Sequence, residues 1–104
     1  MILFPNAKIN IGLDILRKRP DGYHDIATVM LPTEWRDVLE LVPAADNESR
    51  LTITGREVNC PIEKNLVMKA FRLMEREFGI PPTSLFLHKV IPDGAGLGGG
   101  SADA

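Results

Sequence analysis

Leu85-Phe86-Leu87-His88-Lys89-Val90-Ile91-Pro92-Asp93-Gly94-Ala95-Gly96-Leu97-Gly98-Gly99-Gly100-Ser101 is the stretch on which the fold turns. Its apolar first half predicts a strand, and its second half holds five of the chain's nine glycines. An ordered glycine costs roughly 1 kcal/mol relative to alanine. So many together are tolerable where something must approach the backbone closely, and the usual guest of successive bare amides is a phosphate. A helix beginning at Ser101 would add the positive end of its dipole. The plain alternative is a flexible Gly/Ser tail. Leu97 and the strand ahead of the loop speak against it.

Other phosphate motifs fit less well. A P-loop needs Lys and then Ser or Thr after its last glycine, and no lysine follows Gly99. Gly94 to Gly99 satisfies GxGxxG, but a dinucleotide fold places that motif after its first strand, and here most of the chain precedes it. The Val-Ala-Ile-Lys segment that follows a protein-kinase glycine loop is absent.

Composition bounds the rest. The 104 residues, 44% hydrophobic, suit one small domain over 1–104 with a modest core. Twelve basic against fourteen acidic residues give −2 at pH 7, no general attraction for nucleic acid or an acidic membrane, so any phosphate must be held locally. Cys60 is alone, which excludes an intrachain disulfide and suits a reducing cytoplasm. Met1-Ile2-Leu3-Phe4-Pro5 lacks the features of a signal peptide, and no run reaches transmembrane length. Ser101-Ala102-Asp103-Ala104 is too short to complete a stable helix, so the chain reads as a truncated piece whose exposed apolar surface favours self-association.

Upstream, Ala7, Ile9, Ile11, Leu13 and Ile15 alternate with Lys8, Asn10, Gly12 and Asp14, the period of a strand with one apolar face. Lys8 and Asn10 share the other face. Pro20-Asp21-Gly22 is a turn signal after the basic run Arg17-Lys18-Arg19. A second strand, Ile26 to Leu31, should end at Pro32; a third, Val38 to Val42, at Pro43; and a fourth, Leu51 to Thr54, should pair with the third as a hairpin. One helix opens near Asn65, with Val67, Ala70, Phe71, Met74 and Phe78 at helical spacing, and stops at Gly79 and Pro81-Pro82. The class is α+β.

Taken with Asn6-Ala7-Lys8-Ile9-Asn10-Ile11-Gly12-Leu13 and Arg19-Pro20-Asp21-Gly22-Tyr23-His24, the glycine stretch resembles the GHMP small-molecule kinases, which include galactose, homoserine and mevalonate kinases. The resemblance implies the N-terminal part of that fold: a βαβ topology shared with ribosomal-protein domains, a mixed sheet and one main helix, cut at the phosphate loop. It also implies ATP and Mg²⁺ as cofactors. The implied reaction is phosphoryl transfer to the 2-hydroxyl of a cytidyl-diphosphate methylerythritol, a non-mevalonate isoprenoid precursor.

Under that resemblance Lys8 is the catalytic cation beside the transferred phosphoryl group, and Asn10 lies near the erythritol. Tyr23 and His24 receive the cytosine. Asn65 and Lys89 line the adenine pocket. Pro92-Asp93-Gly94-Ala95-Gly96-Leu97-Gly98-Gly99-Gly100-Ser101-Ala102 wraps the phosphates, with Ser101 reaching a phosphate oxygen or its Mg²⁺. The family's catalytic aspartate lies beyond Ala104, and Asp103 is not it. Ala102 stands where many members carry a second serine, Ala27 where a polar residue is common, and Glu34-Trp35-Arg36-Asp37 replaces a more usual aspartate-containing turn. By pattern alone, Lys8 is a solvated lysine, Asn65 a helix N-cap and His24 a turn histidine. Another GHMP kinase, or a non-catalytic binding module of the same fold, stays open as an alternative.

Overall fold

The computed structural model describes all residues, Met1–Ala104. Six strands and two helices follow in the order β1 (Ile2–Leu3), β2 (Asn6–Lys18), β3 (His24–Arg36), β4 (Val38–Pro43), β5 (Arg50–Gly55), α1 (Leu66–Phe78), β6 (Thr83–Lys89) and α2 (Gly99–Asp103). A mixed four-stranded sheet has the order β1-β4-β6-β5, and β2 with β3 forms a separate two-stranded ribbon.

Helix α1 forms where the sequence periodicity places it, and both ends are chemically marked. The Asn65 side chain caps the start by accepting from the Val67 amide, and Gly79 ends the helix in the left-handed region at φ 62. The face carrying Val67, Met68 and Phe71 packs on Leu39, Leu51, Leu85 and Leu87 of the sheet to form the core. Phe78, expected on that face, is exposed. It sits in the last turn, past the edge of the sheet contact.

The predicted hairpin of the third and fourth strands does not form. Strand β6 lies between them, antiparallel to β4 and parallel to β5, so β5-α1-β6 is the βαβ unit and β4 is its antiparallel neighbour. The loop between β4 and β5 contains no tight-turn glycine to enforce direct pairing, and β6 offers both neighbours a strand whose inward face, Leu85 and Leu87, is almost fully buried. Pro32 does not end the second strand either. It lies within β3 opposite Lys8, tolerated because this ribbon has only two strands and an outer edge needs no donor.

The ribbon differs most from its sequence pattern. Ala7 is buried, yet Ile9, Ile11, Leu13 and Ile15 are all exposed. The apolar alternation is real, but no other element covers that face. Register shifts interrupt the pairing, one of them at Gly12, whose φ of 67 breaks the regular extended backbone.

Candidate active site

The glycine loop leaves β6 at Val90 and enters α2 at Gly99, two residues earlier than the Ser101 start expected. Three of its glycines have positive φ: Gly94 at 66, Gly96 at 76 and Gly98 at 70. They turn the chain so sharply that the amides of residues 93 to 101 donate to no group of the protein. Gly99 instead serves close packing. A Cβ on Gly99 would lie 2.8 Å from Ile91 Cγ2 and 3.1 Å from Lys89 Nζ. Bare, unspent N–H groups around a sharp bend are the elements of an anion-binding nest.

Strand β2 brings Lys8 to this loop from the other end of the chain. The Lys8 amide donates to the Leu97 carbonyl at 2.8 Å, and its ammonium donates to the Gly96 carbonyl at 2.6 Å. Gly98 makes room for it, since a Cβ there would sit 3.2 Å from Lys8 Cε. The ammonium also donates to Asn10 Oδ1 at 2.8 Å, as two residues on one strand face can. Asn10 in turn donates to Thr28 Oγ1 at 3.2 Å on β3. An ammonium has three N–H groups, and the loop and Asn10 engage two of them.

Asn65 is 7% exposed and spends its carbonyl oxygen on the helix cap. Together with Lys64, Asp93, Gly100 and the buried ends of Lys89 and Asp103 it lines a small cavity of about 80 Å³ beneath the loop. Ser101 and Ala102 are exposed on the first turns of α2. Tyr23 and His24 lie at the far tip of the ribbon, where His24 pairs with Lys18, and both are exposed. The Tyr23 backbone closes the turn through Asp21 and Arg19. The structure therefore gathers Lys8, Asn10 and the loop, and leaves Tyr23 and His24 ten residues farther along the strand.

Lys89 has a setting that its sequence position did not suggest. Its ammonium is buried and bonds Asp37 Oδ2 at 2.6 Å and Asp103 Oδ2 at 2.9 Å. Asp37 Oδ1 also accepts from the amides of Val90 and Ile91 at 2.7 and 2.9 Å. Burial opposes charge on Asp37, but Lys89 and the two amides outweigh it and hold the carboxyl below the usual range. Burial likewise opposes the charge on Lys89, and the two carboxylates overcome it, raising its pKa. Asp103 goes the other way. Burial, reinforced by the neighbouring Asp37, exceeds the pull of Lys89 and pushes the carboxyl up to about 6.

Asp37 and Asp103 were missed as site residues, although part of the signal was in the sequence. In β6 the period-2 set Leu85, Leu87, Lys89 is buried, so Lys89 falls on the core face and requires a counter-charge. In the approach to β4, Asp37, Leu39 and Leu41 form the matching set. The β4–β6 register pairs Val38 with His88 and, continued one step, sets Asp37 opposite Lys89.

Residues 65–104 match the family described as GHMP kinases N terminal domain. The chain is 52% identical over its whole length to a 4-diphosphocytidyl-2-C-methyl-D-erythritol kinase of Bacteroides fragilis, covering 39% of that protein. It is 55% identical to a protein of the same name from Parabacteroides distasonis, covering 38% of it. A crystal structure of 4-(cytidine 5'-diphospho)-2C-methyl-D-erythritol kinase superposes on the whole chain with a TM-score of 0.78 at 36% identity, and the chain spans 37% of that structure. The chain thus spans about two-fifths of the length of the curated relatives it matches. Residues 65–104 thus match the GHMP kinases N terminal domain, and the whole chain is similar in sequence and fold to proteins named as 4-diphosphocytidyl-2-C-methyl-D-erythritol kinases.

Proposed function

We propose that the polypeptide bearing this chain transfers the γ-phosphoryl group of ATP to the 2-hydroxyl of 4-diphosphocytidyl-2-C-methyl-D-erythritol, in the non-mevalonate route to isoprenoid precursors. The observation that carries the reading is the meeting of Lys8 with the glycine loop across 88 residues of sequence. Phosphoryl transfer asks a protein chiefly for positioning and for charge stabilisation. The unspent amides of residues 93 to 101 supply the first, donating to phosphate oxygens that approach the bend. Lys8 supplies the second. With two N–H groups fixed on Gly96 and Asn10, its third is free to face a phosphoryl oxygen or the accepting hydroxyl, and the cation sits where negative charge develops.

Asn10 orients that ammonium and lies beside the alcohol. Asn65 and Lys89 bound the space beneath the loop on the side given to adenine. Tyr23 and His24, at the ribbon tip, are placed to take the cytosine end of an elongated substrate, the ring by stacking and the imidazole or its backbone by a hydrogen bond. This assignment favours the cytidyl substrate over those of other GHMP kinases. Asp37 and Asp103 are too deeply buried to accept the hydroxyl proton.

No group of three acidic, histidine or cysteine side chains forms a metal cage. That suits Mg²⁺ carried in by phosphates, which keeps several waters and takes few protein ligands, with the exposed Ser101 hydroxyl as its contact in this chain. Bound there, Mg²⁺ would spread the charge of the phosphates. The exposed, unpaired Cys60 suits a reducing compartment, and we place the enzyme in the cytoplasm.

The test is Lys8→Met in the complete polypeptide, with ADP release measured in the presence of the cytidyl alcohol. Turnover is expected to fall by about 100-fold or more, with the fold intact because Lys8 is only half-buried. A wild-type protein that releases no ADP with this alcohol, or a Met variant that turns over normally, refutes the reading.

A further inference from the structure

We propose that Asp37, Lys89 and Asp103 form a positioning triad that locks the stem of the glycine loop, setting nucleotide affinity without touching the phosphates. The proposal rests on the phosphate-binding reading of that loop. Lys89 is the last residue of β6, Asp103 lies in α2, and the loop is the stretch between them. Their 2.9 Å contact therefore ties together the two ends of the loop. Asp37, from the junction of β3 and β4, bonds the same ammonium and also receives the amides of Val90 and Ile91, the first two residues of the loop. The Asp37 amide in turn donates to the Pro5 carbonyl at 2.9 Å, anchoring the group to the segment that leads into β2 and Lys8.

None of the three side chains reaches solvent: Lys89 is 2% exposed, Asp37 0% and Asp103 1%. They cannot contact a phosphate in the bend, so their influence must pass through the loop. Gly99 belongs to the same arrangement, because its missing Cβ lets α2 start against Ile91 and the Lys89 ammonium.

Stability is a weak reason for such a group. Three desolvated charges repay their burial only with near-complete pairing, and apolar side chains of the same volume commonly do as well. Here the pairing is not complete, since Asp103 Oδ1 is buried without a partner. What the triad provides, and apolar packing would not, is direction. A charge-assisted bond fixes Asp103, and with it α2, at one distance from Lys89. A loop so held is already in its binding shape, and apparent affinity rises with the fraction of molecules in that shape.

The experiment compares wild type, Asp103→Ala and Asp103→Asn in the complete polypeptide. Mg·ATP affinity is measured by calorimetry, KM for the alcohol and kcat by ADP release, and loop order by ¹⁵N relaxation of Gly94, Gly96 and Gly98 without nucleotide. Asp103→Ala cuts the bridge and leaves the neutral Lys89–Asp37 pair. It is expected to weaken ATP binding about 10-fold or more, the factor one charge-assisted bond carries, with KM for the alcohol within about 2-fold and the three glycines more mobile. Asp103→Asn keeps an acceptor for Lys89 and should restore affinity to within about 3-fold of wild type. Should the alanine variant not fold, Asp103→Leu, which fills the volume, takes its place with the same expectations. Unchanged ATP affinity and loop order in the bridge-less variant overturn the proposal, as does an asparagine variant as impaired as alanine. A wild type that binds no ATP instead overturns the functional reading, while the relaxation measurement still decides whether the triad orders the loop.

Discussion

Replacing Asp103 by asparagine should make the protein more stable at pH 8 and change it little at pH 4. Burial and the Asp37 carboxylate raise the Asp103 carboxyl from 3.8 to about 6, against the opposing pull of Lys89. A group whose folded pKa lies above its unfolded value favours the fold while protonated. That contribution is full below about 4, falls as pH rises from about 4 to 6, and is gone above it. One unit is worth about 1.4 kcal/mol, so a shift of about two units corresponds to roughly 3 kcal/mol lost by the wild type across that window. Asparagine never ionises and still offers an oxygen to Lys89, so most of this loss should vanish. Asp37, whose pKa is lowered, runs the other way: its contribution is present above 3.8 and fades at lower pH, in both proteins alike. Urea denaturation of both at pH 4 and pH 8 reads the difference, expected near zero at the lower pH and about 2–3 kcal/mol in favour of asparagine at the higher. A difference that does not change with pH, or an asparagine variant weaker at pH 8, would refute the electrostatic account of this triad.

Other consequences follow from single contacts. Gly99→Ala drives a Cβ to 2.8 Å from Ile91 Cγ2 and should destabilise the protein by about 1–3 kcal/mol in thermal melts; an unchanged melt means α2 shifts freely. Asn65→Ala removes the cap on Val67 N and should cost about 1 kcal/mol, while Asn65→Asp, which preserves the cap, should not. Tyr23→Ala and His24→Ala, exposed at the ribbon tip, should raise KM for the cytidyl alcohol several-fold and leave KM for ATP and the melting temperature unchanged; an effect on ATP instead would detach the ribbon tip from the substrate.

Helix α1 was legible to within a residue because it is local: Asn65, the apolar period and Gly79 all act within a few turns of backbone. The glycine bend was legible too, since a cluster of residues able to take positive φ has few other uses. The partners of the strands were not. Leu51 to Thr54 looks the same whether it pairs with β4 or β6, and only the burial of α1 across the sheet selects the parallel arrangement. The exposed apolar face of β2 shows the same limit, because alternation says which residues share a side and nothing of what covers it.

At the site the division is similar. Composition and motif order by themselves determined that a glycine-rich bend follows β6 and that Lys8 and Asn10 share a strand face. Tertiary structure alone decided that Lys8 closes on Gly96, and that Lys89, on the core side of β6, meets Asp37 and Asp103. The reason is physical: a bend needs only its own residues to form, whereas a buried charge is satisfied by whichever opposite charges the packed chain brings within about 3 Å, and those lie 52 residues before it and 14 after.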